Sequence, residues 1–416
     1  MPPHDCHYTH VTNKRYKEKL QSAIRENQNL LCYMIDKSRI SFTFLLVFLL
    51  SGLQGQDLNS ILDLLTLHPN KAAVMQDSTI YPAKAIFTPV ISFAPETNLS
   101  IGVGMKGLFK MKGSGDETRT SNLPLTAQYT IENKFLFFSG FGIFSPQEKY
   151  MLTGNIRIQS FPSLYFGVGP DTPKSNEEEF SYRQILLQPL FLKNLFRRYL
   201  FFGGGIRYNR ISGVEPQADG LLATTAQSGA RGSTSSGLEL AVIYDSRDNL
   251  LNATKGYFIS LTHGFYTSWL GSSHEFQLTK LDFRYFMQPL GNPSSILGIQ
   301  FLSQISQGDT PLHELGRLGG DVIMRGYFEG RYTDRHLITT QVEWRQKLTH
   351  RWGAVAFAGI GDVAPTLSAF DLNTIRASYG VGLRFLVDEE ENLNIRFDLG
   401  VGNEKVNYYF KIAEAF

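Results

Sequence analysis

From residue 98 onward the chain alternates apolar and polar positions with a period of two, as strands do when one face is greasy and the other wet. Over residues 392–402, Leu393, Ile395, Phe397, Leu399 and Val401 share one side, while Asn392, Asn394, Arg396, Asp398, Gly400 and Gly402 share the other. Residues 375–385 repeat this with Arg376, Ser378, Gly380, Gly382 and Arg384 on the wet side, and Lys280, Asp282 and Arg284 oppose Leu281, Phe283, Tyr285 and Met287. Inward charges beside an outward aromatic face fit a transmembrane barrel with a polar interior. A soluble β-sandwich has the same period, so loop lengths must separate the two.

Sixteen strand candidates follow: 98–111, 122–132, 134–144, 149–160, 163–170, 180–192, 199–211, 234–245, 255–266, 275–289, 295–305, 337–348, 351–361, 373–386, 392–401 and 406–416. An even number suits a single-chain bacterial barrel. Counted from the periplasm, the long polar connections 111–122, 169–180, 211–234 and 306–336 fall outside the cell. The periplasmic ones are mostly tight, as at 132–134, 349–350 and 388–391, with 245–255 the exception. Loops sorted by length in this way predict an all-β, 16-stranded antiparallel transmembrane barrel over residues 98–416.

Composition agrees. The chain is 42% hydrophobic with 31 Phe, 19 Tyr and 38 Gly, yet its mean hydropathy is −0.15, which means much apolar surface but few apolar runs. A net charge of +2 offers no basic stripe for nucleic acid. The two cysteines, Cys6 and Cys32, precede the expected mature start, so the folded part is expected to hold no disulfide or cysteine metal site. His4, Cys6, His7 and His10 mimic a metal cluster only in composition, and neither metal nor cofactor is expected.

Residues 1–33 read as a non-native upstream extension, with Met34 the preferred initiator. Residues 34–55 read as a signal peptide: Lys37 and Arg39, the apolar core 40–50, then Ser51 and Gly52. That core is shorter than the roughly 20 apolar residues of a membrane-spanning helix. Residues 56–97 are expected to be a periplasmic lead-in, within which 86–93 is either an extra strand or a plug-like entry. At the other end Val406, Tyr408, Phe410, Ile412 and Phe416 share one face, broken by Glu414. This alternation ending on Phe416 resembles the β-signal by which outer-membrane barrels are recognised for assembly, and it points to the bacterial outer membrane.

One long connection carries an unusual device: Gly319 and Gly320, then Met324, Arg325, Gly326 and Tyr327. With five strand candidates after it, this segment resembles the arginine-glycine-aromatic loop of the BamA/TamA superfamily, the bacterial surface antigen family. The resemblance implies a loop folded into the lumen, where its arginine meets carboxylates of neighbouring strands. Glu343 and Asp362 match those positions. Glu343 shares the inward parity of Arg345 and Lys347, and Asp362 ends a strand whose inward positions are read as Ala354, Ala356 and Ala358. Independently of the resemblance, a planar guanidinium that loses hydration regains hydrogen bonds best from carboxylates, and the glycines permit sharp turns. The alternative from the residues alone is a solvated arginine among turn glycines. A second stretch, Tyr244, Asp245, Ser246, Arg247, Asp248 and Asn249 followed by Thr254, Lys255, Gly256 and Tyr257, resembles a turn of the same family.

The resemblance implies protein insertion or translocation in outer-membrane biogenesis through a lateral seam between the first and last strands. It further implies outer-membrane lipid, a client barrel or secreted protein, and a lipoprotein or periplasmic accessory as partners. The chain reads as a short barrel-only form without POTRA modules, which weakens any carry-over of client handling. A partner-dependent scaffold and a passive pore are the alternatives. An enzyme is not expected: beyond the leader the histidines are His68, His263, His274, His313, His336 and His350, and only His263 is read inside a strand, facing lipid with Ile259, Leu261 and Phe265.

Overall fold

The computed structural model describes residues 84–416, apart from residues 116, 132, 197, 198, 251, 390, 391 and 403–405. The expected extension, signal peptide and most of the lead-in lie outside the described residues. The strands are β1 (Lys84–Ala94), β2 (Asn98–Phe109), β3 (Ser121–Thr130), β4 (Phe135–Phe144), β5 (Tyr150–Tyr165), β6 (Glu178–Asn194), β7 (Leu200–Glu215), β8 (Ser233–Asp245) and β9 (Gly256–Tyr266). They continue as β10 (Phe276–Met287), β11 (Ser295–Gly308), β12 (Gly316–Leu318), β13 (Tyr332–Asp334), β14 (His336–Lys347), β15 (Trp352–Ala364), β16 (Arg376–Asp388), β17 (Leu393–Val401) and β18 (Val406–Ile412). Sixteen close into one antiparallel barrel, while β12 and β13 form a separate ribbon in the connection from β11 to β14.

Closure follows from the solvent. Lipid cannot satisfy a free strand edge, so a sheet that crosses it must return on itself. Side-chain exposure gives the direction: Ile101, Val103, Phe191, Tyr379, Val381 and Leu383 are exposed, whereas Ser100, Glu239, Glu343, Arg384 and Asp398 are buried. A soluble sandwich would do the reverse. Among the described residues no helix is long and apolar enough to cross a membrane.

The strand number matches the expectation, but the membership differs. Residues 84–94 form the first barrel strand, paired with β2 along its whole length from Lys84↔Leu108 to Ala94↔Asn98. The barrel therefore begins before residue 98, and 86–93 is a strand, not a plug. The candidates 149–160 and 163–170 are instead one strand, β5, which runs through Pro162 opposite Ser181. Proline reads as a strand break because it cannot donate to the ladder. The added strand inverts the direction of those after it until the fused one restores the count. Consequently the 110–120 connection lies at the barrel end that holds the start of β1 and the end of β18, and the turn between β3 and β4 lies at the opposite end, the reverse of both expectations. The connections 166–177, 216–232 and 309–335 share that opposite end, as expected.

The C-terminal segment is the second departure. Tyr408 is exposed on the outward face and Asn407 and Tyr409 are buried, as alternation requires. After Ile412, however, Ala413 takes a left-handed φ of 72°, which breaks the parity. Phe416 is buried, its ring 6.0 Å from Phe286, so it does not continue the outward face of Tyr408, Phe410 and Ile412. Glu414 accepts from Arg384 Nε at 2.7 Å and Asn394 Nδ2 at 2.8 Å. The residue that seemed to interrupt the apolar pattern is an ion-pair partner.

Candidate functional site: the loop arginine and the seam

The ribbon of β12 and β13, with Leu318 opposite Tyr332, forms the base of the long loop. Above it Gly320 N donates to Tyr327 O at 3.0 Å and Gly330 N to Leu318 O at 3.0 Å, folding residues 318–330 into a compact hairpin. Leu318, Met324, Tyr327 and Tyr332 pack with Leu337 and Val363 in one apolar cluster. Burial of each large side chain contributes about 1.5–3 kcal/mol, which helps to seat the loop.

Arg325 is fully buried. Its Nη1 donates to Asp398 Oδ2 of β17 at 2.6 Å, and its Nη2 to Glu343 Oε2 of β14. The guanidinium lies 3.6 Å over the Phe357 ring of β15. Two walls are thus held by one planar fork, which lysine's single ammonium could not reproduce. Around it Arg384 bonds Asp398, Arg396 Nη1 reaches Asp398 Oδ2 at 3.2 Å and Arg345 Nε reaches Glu343 Oε1 at 2.7 Å. Isolated charges would be costly here; as a lattice of alternating sign they fix one another.

Gly326 comes closest to the wall. Its N donates to Tyr409 Oη at 2.9 Å, and its carbonyl accepts from Asn407 Nδ2 at 2.9 Å. With φ +116°, a Cβ there would stand 2.5 Å from Val401 C and 2.6 Å from Gly402 N. Tyr327 donates its hydroxyl to Ala377 O at 3.0 Å. Gly319 and Gly320, at φ +108° and +115°, turn the chain into the hairpin.

Of the two expected carboxylates, the structure brings Glu343 to Arg325 and does not bring Asp362. Asp362 accepts instead from Thr374 Oγ1 at 2.6 Å and from Val363 N at 2.9 Å. The cause is strand phase. In β15 Val355, Phe357 and Gly359 are buried while Ala356, Ala358 and Ile360 are exposed and Ala354 is half-buried, so the alanines read as inward face outward and Asp362 shares their parity. The room for the loop comes from Gly359, whose Cβ position lies 3.2 Å from Met324 Sδ, and from Gly400, 2.7 Å from Gly326 N. Asp398 was on the wet side of its strand by alternation, the one signal that pointed to it. Alternation likewise put Asn407 and Tyr409 on the inward side, but nothing in the local sequence tied them to Gly326 or marked Phe357.

The same loop has a second anchor. Glu314 accepts from Arg207 Nη1 at 2.8 Å and Asn209 Nδ2 at 2.6 Å, both on β7. From β7 to β17 the ring runs β7-β8-β9-β10-β11-β14-β15-β16-β17, eight steps of sixteen, so the two anchors stand on opposite walls. Among the histidines, His263 shares the outward side with Leu261 and Phe265 and bonds Thr279 Oγ1 at 2.8 Å. His336 also belongs to a strand, as the first residue of β14. No cluster of metal-ligating residues occurs among the described residues.

Among the described residues one register pair joins β1 to β18, Phe93↔Phe410, whereas β1 and β2 pair throughout. Pro89 within β1 has no N–H to give, which suits an edge strand. Beside this joint Glu96, in the turn after β1, accepts from Glu329 N of the loop at 2.9 Å. Burial, with Glu329 and Asp321 nearby, raises its carboxyl from 4.5 to about 7, against the lowering effect of the Glu329 N–H; Arg317 and Tyr409 also face it. A raised acid pKa means that the docked state binds the proton more tightly. The docked state should therefore be most stable below about 4.5 and lose stability as pH rises through about 7, because burial of the ionised carboxylate outweighs the Glu329 N–H bond to it. Protection of the Glu329 amide, measured against its intrinsic exchange rate at each pH, should fall over that range, and Glu96→Gln should make it independent of pH; an unaltered dependence in the variant would refute the assignment.

The chain matches the Omp85 superfamily domain over residues 146–416. No curated protein matches it. Among solved structures it resembles BamA from Haemophilus ducreyi lacking POTRA domains 1–3, at 12% identity and a TM-score of 0.52, over 80% of this chain and 70% of that one. CdiB from Acinetobacter baumannii gives 12% identity and 0.54 over 79% and 60%, and CdiB from Escherichia coli 12% and 0.51 over 79% and 63%. The chain thus spans less than two thirds of either CdiB chain, and these likenesses concern the fold.

Proposed function

The chain belongs to the Omp85 superfamily, a family of bacterial outer-membrane barrels, and from that premise we propose that it inserts or translocates client proteins through the joint between β1 and β18. The observation that supports this most directly is the single register pair at that joint. An edge strand with unsatisfied N–H and C=O groups is a template for an incoming strand, and lipid offers those groups no competing partner. A client β-strand of a barrel or secreted protein is therefore the favoured partner, with a lipoprotein or periplasmic accessory as a delivery factor. On this reading Gly319, Gly320, Arg325, Gly326 and Tyr327 fold the loop into the lumen and hold it there against Glu343 and Asp398. A loop anchored on opposite walls favours an occluded lumen over a passive pore. The work is mechanical, and no cofactor takes part.

The test locks the joint. Phe93→Cys with Phe410→Cys, oxidised in the assembled protein, should abolish client insertion into liposomes, and reduction should restore it. Full activity in the crosslinked barrel would overturn the proposal. The partner strand for such a lock is β1, not residues 98–111.

A further inference from the structure

The stretch from Tyr244 to Tyr257 has a contact that the proposed function leaves unused. It forms the connection between β8 and β9 at the barrel end opposite the long loop. Asp248 ties residues 249 and 254 together: Oδ1 accepts from Asn249 N at 3.0 Å and Thr254 N at 2.9 Å, and Oδ2 from Thr254 Oγ1 at 2.6 Å. Beside it stand Asn252 and Ala253. Asn252 and Asn392 each donate a side-chain amide to the other's carbonyl, at 3.3 and 3.2 Å. Asn392 lies between β16 and β17, five strand steps round the ring from β9. The turn therefore reaches over the barrel mouth.

Arg345 meets it there. Its Nη1 donates to Asn252 Oδ1 at 3.2 Å and Ala253 O at 3.4 Å, and its Nη2 to Phe416 O at 2.9 Å. Phe286 and Phe416 flank the guanidinium, with centroids 5.5 and 5.6 Å away, and Ala253, Phe286, Ala415 and Phe416 form one buried apolar cluster. The Nε of the same arginine holds Glu343 Oε1 at 2.7 Å, while the other oxygen of Glu343 holds Arg325. An unbroken path runs from the long loop through Glu343 and Arg345 to the turn and the C-terminal residues.

We infer that Arg345 is a positioning residue that couples docking of the long loop at one end of the barrel to closure of the mouth at the other. When Arg325 leaves, Glu343 Oε2 is a buried carboxylate oxygen without a donor. Arg345 is already bonded to that carboxylate and turns its fork towards it, releasing Asn252, Ala253 and Phe416. The rival donor is Arg384, whose Nη2 is 3.9 Å from Glu343 Oε1 and has no hydrogen-bond partner; if it moved in first, the mouth would stay shut. The coupling does not depend on insertase activity, so it can fail while that reading stands.

The test uses the full chain in liposomes with Cys6→Ser and Cys32→Ser, so that Ala253→Cys is the one thiol. Arg325→Ala should raise the rate at which a charged maleimide labels Ala253→Cys by about fivefold or more, the usual lower range for coupled sites. Glu314→Gln, which cuts the loop's other anchor, should leave that rate unchanged. Equal labelling with and without Arg325 overturns the coupling, and so does an equal rise with Glu314→Gln. Coupling is reciprocal, so Asn252→Ala should increase protease cleavage within residues 309–335, and unchanged cleavage overturns it. Should Arg325→Ala fail to assemble, this second arm decides alone.

Discussion

Arg325→Ala should release the long loop from the β14 and β17 walls and destabilise the barrel by about 3–5 kcal/mol, the usual effect of leaving buried charges without their partner. Glu343 and Asp398 are both inaccessible to water, so neither recovers by solvation the bond it loses. Arg325→Lys should fall between wild type and alanine, since an ammonium retains the charge but reaches one wall at a time. Trypsin digestion of residues 309–335 and the urea midpoint of the barrel measure the two effects. Wild-type values for both would show that the ion pairs do not hold the loop. A buried pair is not stabilising in itself, and Arg325→Met combined with Glu343→Gln, which removes one charge of each sign and leaves Asp398 to Arg384 and Arg396, should recover part of the lost stability. It should not recover the loop's fixed position, which depends on the fork.

Gly326→Ala is expected to approach the effect of losing Arg325, although it adds one methyl and removes no charge. The φ of +116° is strained for any L-residue, at about 1–3 kcal/mol. The larger effect is steric: the new Cβ would stand 2.5 Å from Val401 C and 2.6 Å from Gly402 N, strand backbone that cannot give way. The loop must withdraw, and with it the bonds from Gly326 N to Tyr409 and from Asn407 to Gly326 O. Gly400→Ala attacks the same contact from the barrel side, 2.7 Å from Arg325 C, and should give the same protease pattern. If either alanine leaves the loop protected, the close approach is not what seats it.

Alternation was a sound guide wherever a strand presents large apolar residues to lipid and charges to the interior. It gave β14, β16 and β17 their correct faces, and with them Glu343. It failed in β15, where alanines stand on the outward side and a phenylalanine on the inward one: small residues looked like space for a loop, while the shelf beneath Arg325 is Phe357. The choice of Asp362 followed from that phase error, although Asp398 stood on the wet face of a strand read correctly. β1 was ambiguous because Pro89 interrupts a short run. The turn of Phe416 into the barrel depends on one left-handed residue, Ala413, a conformation that alanine's chemistry does not announce. The bonds across space, from Tyr409, Asn407 and Arg345, join residues far apart in the chain and have no local signature.

The joint at Phe93 and Phe410 has a consequence for how this barrel comes to exist at all. A ring whose ends meet at one pair gains little from the act of closing, yet bringing together two points so distant along the chain costs conformational entropy. The loop supplies what the strands withhold: Glu329 takes hold on the β1 side through Glu96, while Gly326 takes hold on the β18 side through Asn407 and Tyr409. It acts as a clasp on an open hoop. The loop thus touches both ends of the sheet, so that undocking it removes contacts from the two sides of the joint at once.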